Sequence, residues 1–305
     1  MRPSLRGLMT IVALIVIVIG AMVLIVAQTG LIGGSGGGSS ATQTSTATEA
    51  ANARMPVGPI PGWHQVFADN LSQTVPLGHF PAAVSQAWGN SYPDGWKDTT
   101  GHGTYMPTKV VSIGNGMMNL FLHTENGVHM VAALVPSIPG AQGPGGGLLY
   151  GRYQIRIRSD MIPGYKLSLL LWPDSEKWPV DGEIDFPEGD LTSLIHGYVH
   201  LQYGISPTDQ VGFGTSASYH QWHVATVTWL PDRVEFDLDG QQIGVVTARV
   251  PNTPMHLVIQ AETVTTGPPP PDSAMGNVQI DWVTAYTPSC NSEMSVNPSV
   301  AACMK

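Results

Sequence analysis

The sequence predicts an all-β fold, a sandwich or jelly roll of two antiparallel sheets around a concave cleft, preceded by one N-terminal membrane-crossing or signal helix. Three observations carry this reading. Hydrophobic residues alternate with a period of two through much of the chain after residue 56. Turn formers are abundant, with 35 Gly and 25 Pro among 305 residues. One long apolar run stands alone at the N-terminus.

The apolar run comes first. Arg2 and Arg6 precede residues 8–27, which are apolar apart from Thr10. About 20 residues at roughly 1.5 Å each span the ~30 Å of a bilayer core. Positive charge before the run, and none after it until Arg54, directs the rest of the chain outward. Residues 1–29 are therefore expected to be an uncleaved signal-anchor. A cleavable signal peptide is the second reading, since the run exceeds the usual apolar core and no Ala-x-Ala site follows closely. Residues 30–55 are mostly Gly, Ser, Thr and Ala, the composition of a flexible linker. Gly33 to Gly37 match the letters G-x-S-x-G, but no strand precedes them and no helix follows, so they are no nucleophile elbow.

The globular part is expected over 56–289. Tyr153, Ile155 and Ile157 alternate with Arg152, Gln154, Arg156 and Arg158. Val234, Phe236 and Leu238 alternate with Glu235, Asp237 and Asp239, and Asp239-Gly240 then turns the chain into a return strand at 242–246. Residues 224–229, 255–260 and 278–283 read the same way. No helical stripe stands out after residue 30. The Gly-rich stretch 143–147 lacks the Lys-Ser/Thr of a phosphate loop and reads as an irregular loop. The tail, 290–305, holds both cysteines, Cys290 and Cys303. In an exported chain they are expected to pair, the alternative being two free thiols.

Charge narrows the partners. The net charge is −9, charged residues make up 11%, and no basic cluster occurs. A nucleic-acid partner needs a concentrated basic face and is not expected. A neutral polymer is compatible with this surface.

The chemistry concentrates in 172–188. Glu183 and Asp185 are two residues apart, so on a strand they share a face, with Ile184 on the other. Strict alternation puts Glu188 on the wrong side. A β-bulge at Phe186-Pro187 inserts one residue and returns Glu188 to its partners, and Pro is tolerated in strands chiefly at bulges and edges. Three carboxyl groups so close cannot all ionise cheaply. One ionised and one protonated carboxyl is the division that retaining glycoside cleavage needs. His196 and His200 have metal-ligand spacing for a helix, but on a strand they lie about 13 Å apart and cannot share an ion.

Glu183-Ile184-Asp185-Phe186-Pro187-Glu188 resembles the E-x-D-x-x-E signature of glycoside hydrolase family 16, the laminarinase-like group with a bulged catalytic strand. Its surroundings make the resemblance specific. Residues 151–156 resemble the strand before the catalytic one. Residues 222–232 resemble a W-H-x-x-x-x-x-W-x-P-D stretch, followed by a strand and Asp239-Gly240. Residues 281–286 resemble the closing strand. The resemblance runs over 63–287.

It implies a jelly roll and a retaining endo-β-glycosidase, most readily on β-1,3- or β-1,3/1,4-glucan. Glu183 would be the nucleophile, Glu188 the acid/base, and Asp185 the residue that tunes the nucleophile. Trp172 and Trp178 would stack on sugar rings, and His200 would sit near the leaving sugar. Gln260 stands where many members carry Asn, with Glu262 two residues on, so the cleft floor is expected to differ. Asp281 matches a position that in some members helps hold a structural Ca2+; no cofactor is otherwise required. A monomer is expected, outside the cell, tied to the membrane through its N-terminal segment or secreted. Two alternatives stay open: an envelope transglycosylase using the same residues, and a non-catalytic lectin-like sugar-binding module.

Overall fold

The computed structural model describes residues 53–140 and 145–289. The expected N-terminal helix, most of the linker, and both Cys290 and Cys303 lie outside the described residues. No helix among the described residues is long and apolar enough to cross a membrane.

The described chain is almost all strand. In order it forms β1 (Trp63–Asp69), β2 (Gly103–Tyr105), β3 (Val111–Gly114), β4 (Met117–Glu125), β5 (Val128–Leu134), β6 (Gly151–Ser159), β7 (Tyr165–Pro173) and β8 (Glu183–Asp190). Then follow β9 (Leu194–His200), β10 (Gln210–Ser218), β11 (His223–Leu230), β12 (Arg233–Leu238), β13 (Gln241–Val246), β14 (Met255–Thr263) and β15 (Gly276–Pro288). A 3-10 turn at Ala82–Val84 and two four-residue helices, α1 (Ser85–Trp88) and α2 (Pro107–Val110), complete the list of elements. A single helical turn is too short to show a periodic stripe, which is why the sequence pattern did not announce them.

One continuous path of pairing runs β10-β9-β8-β7-β14-β5-β4-β15-β6-β11-β12-β13. The β4–β5 hairpin is the corner at which this path folds over into two layers. Strands β10, β9, β8, β7, β14 and β5 form the front layer, and β4, β15, β6, β11, β12 and β13 form the back. This is the jelly-roll-like architecture expected from the period-two pattern. Asn126 and Gly127, at the tip of the corner hairpin, both have positive φ, as the tight turn between β4 and β5 requires.

Between the layers lies an apolar core to which β8 contributes Ile184 and Phe186, both fully buried. Phe186 stacks on Phe236 of β12 at 4.8 Å between ring centroids, and Phe213 of β10 meets Phe236 edge-on at 6.1 Å. Thus the inner face of β8 is pinned to the back layer, and its outer face is turned to the cleft. Each such aromatic pair contributes about 0.5–1.5 kcal/mol beyond the area it buries.

Strand β8 carries the irregularity the sequence called for. Against β7, Asp185 pairs with Leu170 and Glu188 with Ser168. Against β9, Asp185 pairs with Tyr198 and Glu188 with His196. Phe186 and Pro187 together therefore face one residue on each side, Leu169 and Gly197. Pro187 has no N–H to give to a ladder, and a bulge is where that loss costs least. Gly197 makes the room: a Cβ there would lie 2.8 Å from Phe186 and 2.9 Å from Phe236. The prediction is that Gly197→Ala destabilises the fold by about 1–3 kcal/mol through overpacking. Calorimetry should show Tm falling by about 2–4 °C per kcal/mol for a chain of this size.

Candidate active site

The bulge sets which side chains share the cleft face. Glu183, Asp185 and Glu188 of β8 stand there beside Lys166 and Ser168 of β7. Next along the sheet come Gln260, paired with Ser168, and Glu262, paired with Lys166. On the other side His200 of β9 is paired with Glu183. Four strands thus deliver eight polar side chains to one face.

Glu183, Asp185 and His200 converge so closely that one ligand atom from each lies within 4.8 Å of the others. His200 Nε2 is 3.8 Å from Glu183 and 3.7 Å from Asp185, near enough to tighten onto either but outside hydrogen-bond range. Ser168 Oγ donates to Asp185 Oδ1 at 3.3 Å. At the far end of the strand Lys166 Nζ donates to Glu188 Oε1 at 2.6 Å and stands 3.5 Å from Glu262. Glu262 Oε2 accepts from the Thr99 N–H at 3.3 Å and from Gln260 at 3.2 Å, and Gln260 also donates to the Tyr105 hydroxyl at 2.6 Å.

Burial and crowding govern the protons. Asp185 is pushed well above the usual carboxylate range, first by burial and then by the charges of Glu183 and Glu188. Glu183 is raised to about 8, by burial and then Glu188, with a hydrogen bond from Asp185 opposing the rise. Burial and the two neighbouring charges thus favour the protonated form of Asp185. Burial alone would lower the Lys166 ammonium, but the Glu188 and Glu262 carboxylates outweigh it and hold it charged. Burial lowers His200, so its imidazole is neutral.

Aromatic rings line the approach. Trp172 and Trp178 are stacked at 6.2 Å, and Trp178 meets His200 edge-on at 5.6 Å. The Trp172 indole N–H is held by Glu176 at 3.0 Å. Tyr92 packs on Trp96 and Tyr105, each at 5.5 Å, and Trp96 is 44% exposed. Burial raises the Tyr92 phenol to about 12, with Glu176, Glu183 and Glu262 adding to the effect.

Asp281 is elsewhere. It lies on β15 in the back layer and accepts from Arg156 at 2.6 Å. A calcium ion at this position would have to share the Asp281 carboxylate with the Arg156 guanidinium. His223 is bound to Asp239 at 2.7 Å, and Trp229 is fully buried.

Sequence reasoning missed Lys166, Ser168, Tyr92 and Tyr105. The first two had a signal: they are the polar alternates in the otherwise apolar Tyr165–Leu171 run. Tyr92 and Tyr105 had none, because the first arrives from an irregular stretch and the second from a three-residue strand.

A cluster of buried carboxyl groups on one face of a two-layer β fold, flanked by aromatic rings, is an arrangement suited to cleaving carbohydrate. Residues 145–284 match the family model described as Glycosyl hydrolases family 16, and the chain is a glycoside hydrolase. The fold is shared with solved structures. The laminarinase from Rhodothermus marinus is 19% identical, with 74% of this chain and 98% of that one covered at a TM-score of 0.60. The laminarinase catalytic domain from Thermotoga maritima gives 18%, 74%, 99% and 0.60. The endo-β-1,3-glucanase from Pyrococcus furiosus gives 17%, 77%, 98% and 0.60. No curated protein sequence matches the chain.

The raised position of Glu183 has a consequence for stability. A carboxyl whose folded value exceeds its unfolded one stabilises the fold while protonated, and that contribution is lost as pH rises from its ordinary 4.5 through about 8. Glu183→Gln removes the charge but keeps the shape. Its Tm should exceed that of the wild type at pH 9 and do so by much less at pH 5, as thermal melts at the two pH values will show.

Proposed function

We propose that the protein is a retaining endo-β-glycosidase that cleaves β-1,3- or mixed β-1,3/1,4-glucan. The observation that carries this reading is the bulge in β8, which brings Glu183, Asp185 and Glu188 onto one face of the cleft. The substrate class is supported by the solved structures of like fold, which are laminarinases and an endo-β-1,3-glucanase.

In this mechanism the Glu183 carboxylate attacks the anomeric carbon as Glu188 gives its proton to the departing glycosidic oxygen. The C–O bond breaks and a glycosyl ester to Glu183 forms. Water then enters, loses a proton to Glu188 and takes the sugar, and Glu183 leaves as the carboxylate. Asp185 keeps its proton and donates it towards Glu183, which steadies the leaving carboxylate in the second step. Neutral His200 is within reach of hydroxyl groups on the sugar beside Glu183. Trp172, Trp178, Tyr92 and Trp96 offer apolar faces to pyranose rings. Gln260 and Glu262 shape the floor.

The same proposal places the protein outside the cell as a monomer. Residues 8–27 serve as its membrane anchor or export signal, residues 30–55 as spacer, and a Cys290–Cys303 bridge closes the tail. The supporting features are Arg2 and Arg6 before an uncharged apolar run, and the confinement of both cysteines to one short tail.

Residues 55–305 should release reducing sugar from laminarin or mixed-linkage β-glucan, tested beside xyloglucan and agarose. Glu183→Ala should abolish turnover, and Glu188→Ala should lower it by about 10²–10⁴-fold. A folded chain inert on all four polymers would contradict the proposal. Products longer than the substrate would identify a transglycosylase instead.

A further inference from the structure

Register across the front layer puts a second histidine in line with Glu183. Leu171 of β7 pairs with Ile184 of β8, so the next residue, Trp172, falls beside Glu183 on the cleft face. Trp172 in turn pairs with His256 of β14, and Glu183 pairs with His200 of β9. One row therefore crosses the sheet in the order His200, Glu183, Trp172, His256. Neighbouring strands lie about 4.8 Å apart, so the backbone of His256 stands about 10 Å from that of Glu183.

The His256 ring is held from behind. Its Nδ1–H donates to Asp174 Oδ1 at 2.7 Å, and Asp174 Oδ2 accepts from the Gly147 N–H at 2.9 Å. With both oxygens engaged and a side chain only 2% exposed, Asp174 serves the ring and the loop and does not face the cleft. The glycine-rich stretch closes over the same edge of the ring. A Cβ on Gly145 would lie 2.5 Å from Asp174 Oδ1 and 2.9 Å from His256 Nδ1. Leu148 and Met255 exchange two backbone hydrogen bonds of 3.0 Å, which tie this stretch to the start of β14. Nε2 is then the ring nitrogen left to meet a ligand. The His256 side chain is 10% exposed, against 11% for Glu183 and 14% for His200, so the cleft reaches all three to a similar degree.

We infer that His256 is a substrate-binding residue that makes the enzyme select for chain length, with Asp174 as the residue that positions it. The inference rests on the glycosidase reading proposed above. With the leaving sugar on the His200 side, Trp172 and His256 fall on the side of the chain that stays on Glu183. The sugar under attack lies at Glu183, and the unit before it lies on the Trp172 ring with a hydroxyl bonded to His256 Nε2. A hydroxyl can give or take a hydrogen bond, so it suits either form of the imidazole. An apolar face with one oriented polar partner fixes both the place and the rotation of that unit. A donor long enough to reach it is thereby held in line for attack, and a donor of one unit gains nothing from His256.

Subsite mapping separates this role from a structural one. A β-glucan pentasaccharide that the wild type cleaves, labelled at its reducing end, reports how often each bond is broken. Cleavage at the first bond from the non-reducing end leaves the Trp172–His256 place empty. In His256→Ala that bond should gain about tenfold in frequency relative to the internal bonds, which lose the contact. Slowing by the same factor at every bond is what a merely structural role gives, and it overturns the inference.

A second measurement needs no variant. In the wild-type chain with nitrogen-15 histidine, a glucan disaccharide should shift the Nε2 resonance of His256 as it changes the tryptophan fluorescence. An Nε2 resonance that stays in place while the fluorescence responds overturns the inference, and so does the absence of both responses. A wild type that cleaves no glucan counts against the proposed function, and the disaccharide titration then judges His256 by itself.

Discussion

Phe186 and Pro187 stand together opposite a single residue on each flanking strand, and the rest of the site is arranged around that extra residue. Without it Glu188 would point into the core beside Ile184, where an unpaired carboxylate is not tolerated. With it, three carboxyl groups face the cleft while Ile184 and Phe186 remain inside. The bulge is held from below by the Phe186–Phe236 stack and from the side by Gly197, whose missing side chain admits both rings. Packing in the core and geometry in the cleft are thus two faces of one local irregularity.

The cleft exacts a cost from the fold. Glu183, Asp185 and Glu262 are buried, and each is raised towards its neutral form by that burial. One ammonium, Lys166, serves both Glu188 and Glu262, and removing it would leave the buried Glu262 and the half-buried Glu188 without a counter-ion. Such crowding is retained because a site that moves protons needs carboxyl groups whose environments differ. Here the difference is spatial. Asp185 and His200 crowd Glu183 at one end of β8, and Lys166 neutralises Glu188 at the other.

Much of this was legible in the residues, for identifiable reasons. The alternation of Arg152 to Arg158 and of Val234 to Leu238 marks strands because one face of each is polar. Asp239-Gly240 marks its turn because glycine and aspartate accept positive φ, which both residues show. Pro187 within an acidic, apolar strand is the mark of the bulge. Other features left no local trace. Strands β7 and β14, in the middle of the front layer, are buried on both faces, so their nine residues each read as apolar runs with little alternation. Lys166 pairs with a residue 22 positions away, and Gln260 meets Tyr105 across 155 positions, distances at which pattern reading has no reach. Asp281 kept its position in the resemblance, but a neighbouring strand supplied Arg156 as its partner.

The central claim is that the bulged strand presents Glu183 to an anomeric carbon as a nucleophile. Incubating the protein with a 2-deoxy-2-fluoro β-glucosyl donor, whose fluorine slows release of the covalent intermediate, tests it directly. Peptide mapping by mass spectrometry should find one glycosyl group, attached to Glu183 in the peptide that contains Ile184 and Asp185. A label on Glu188 or elsewhere, or turnover of glucan that leaves no residue labelled, would contradict the account.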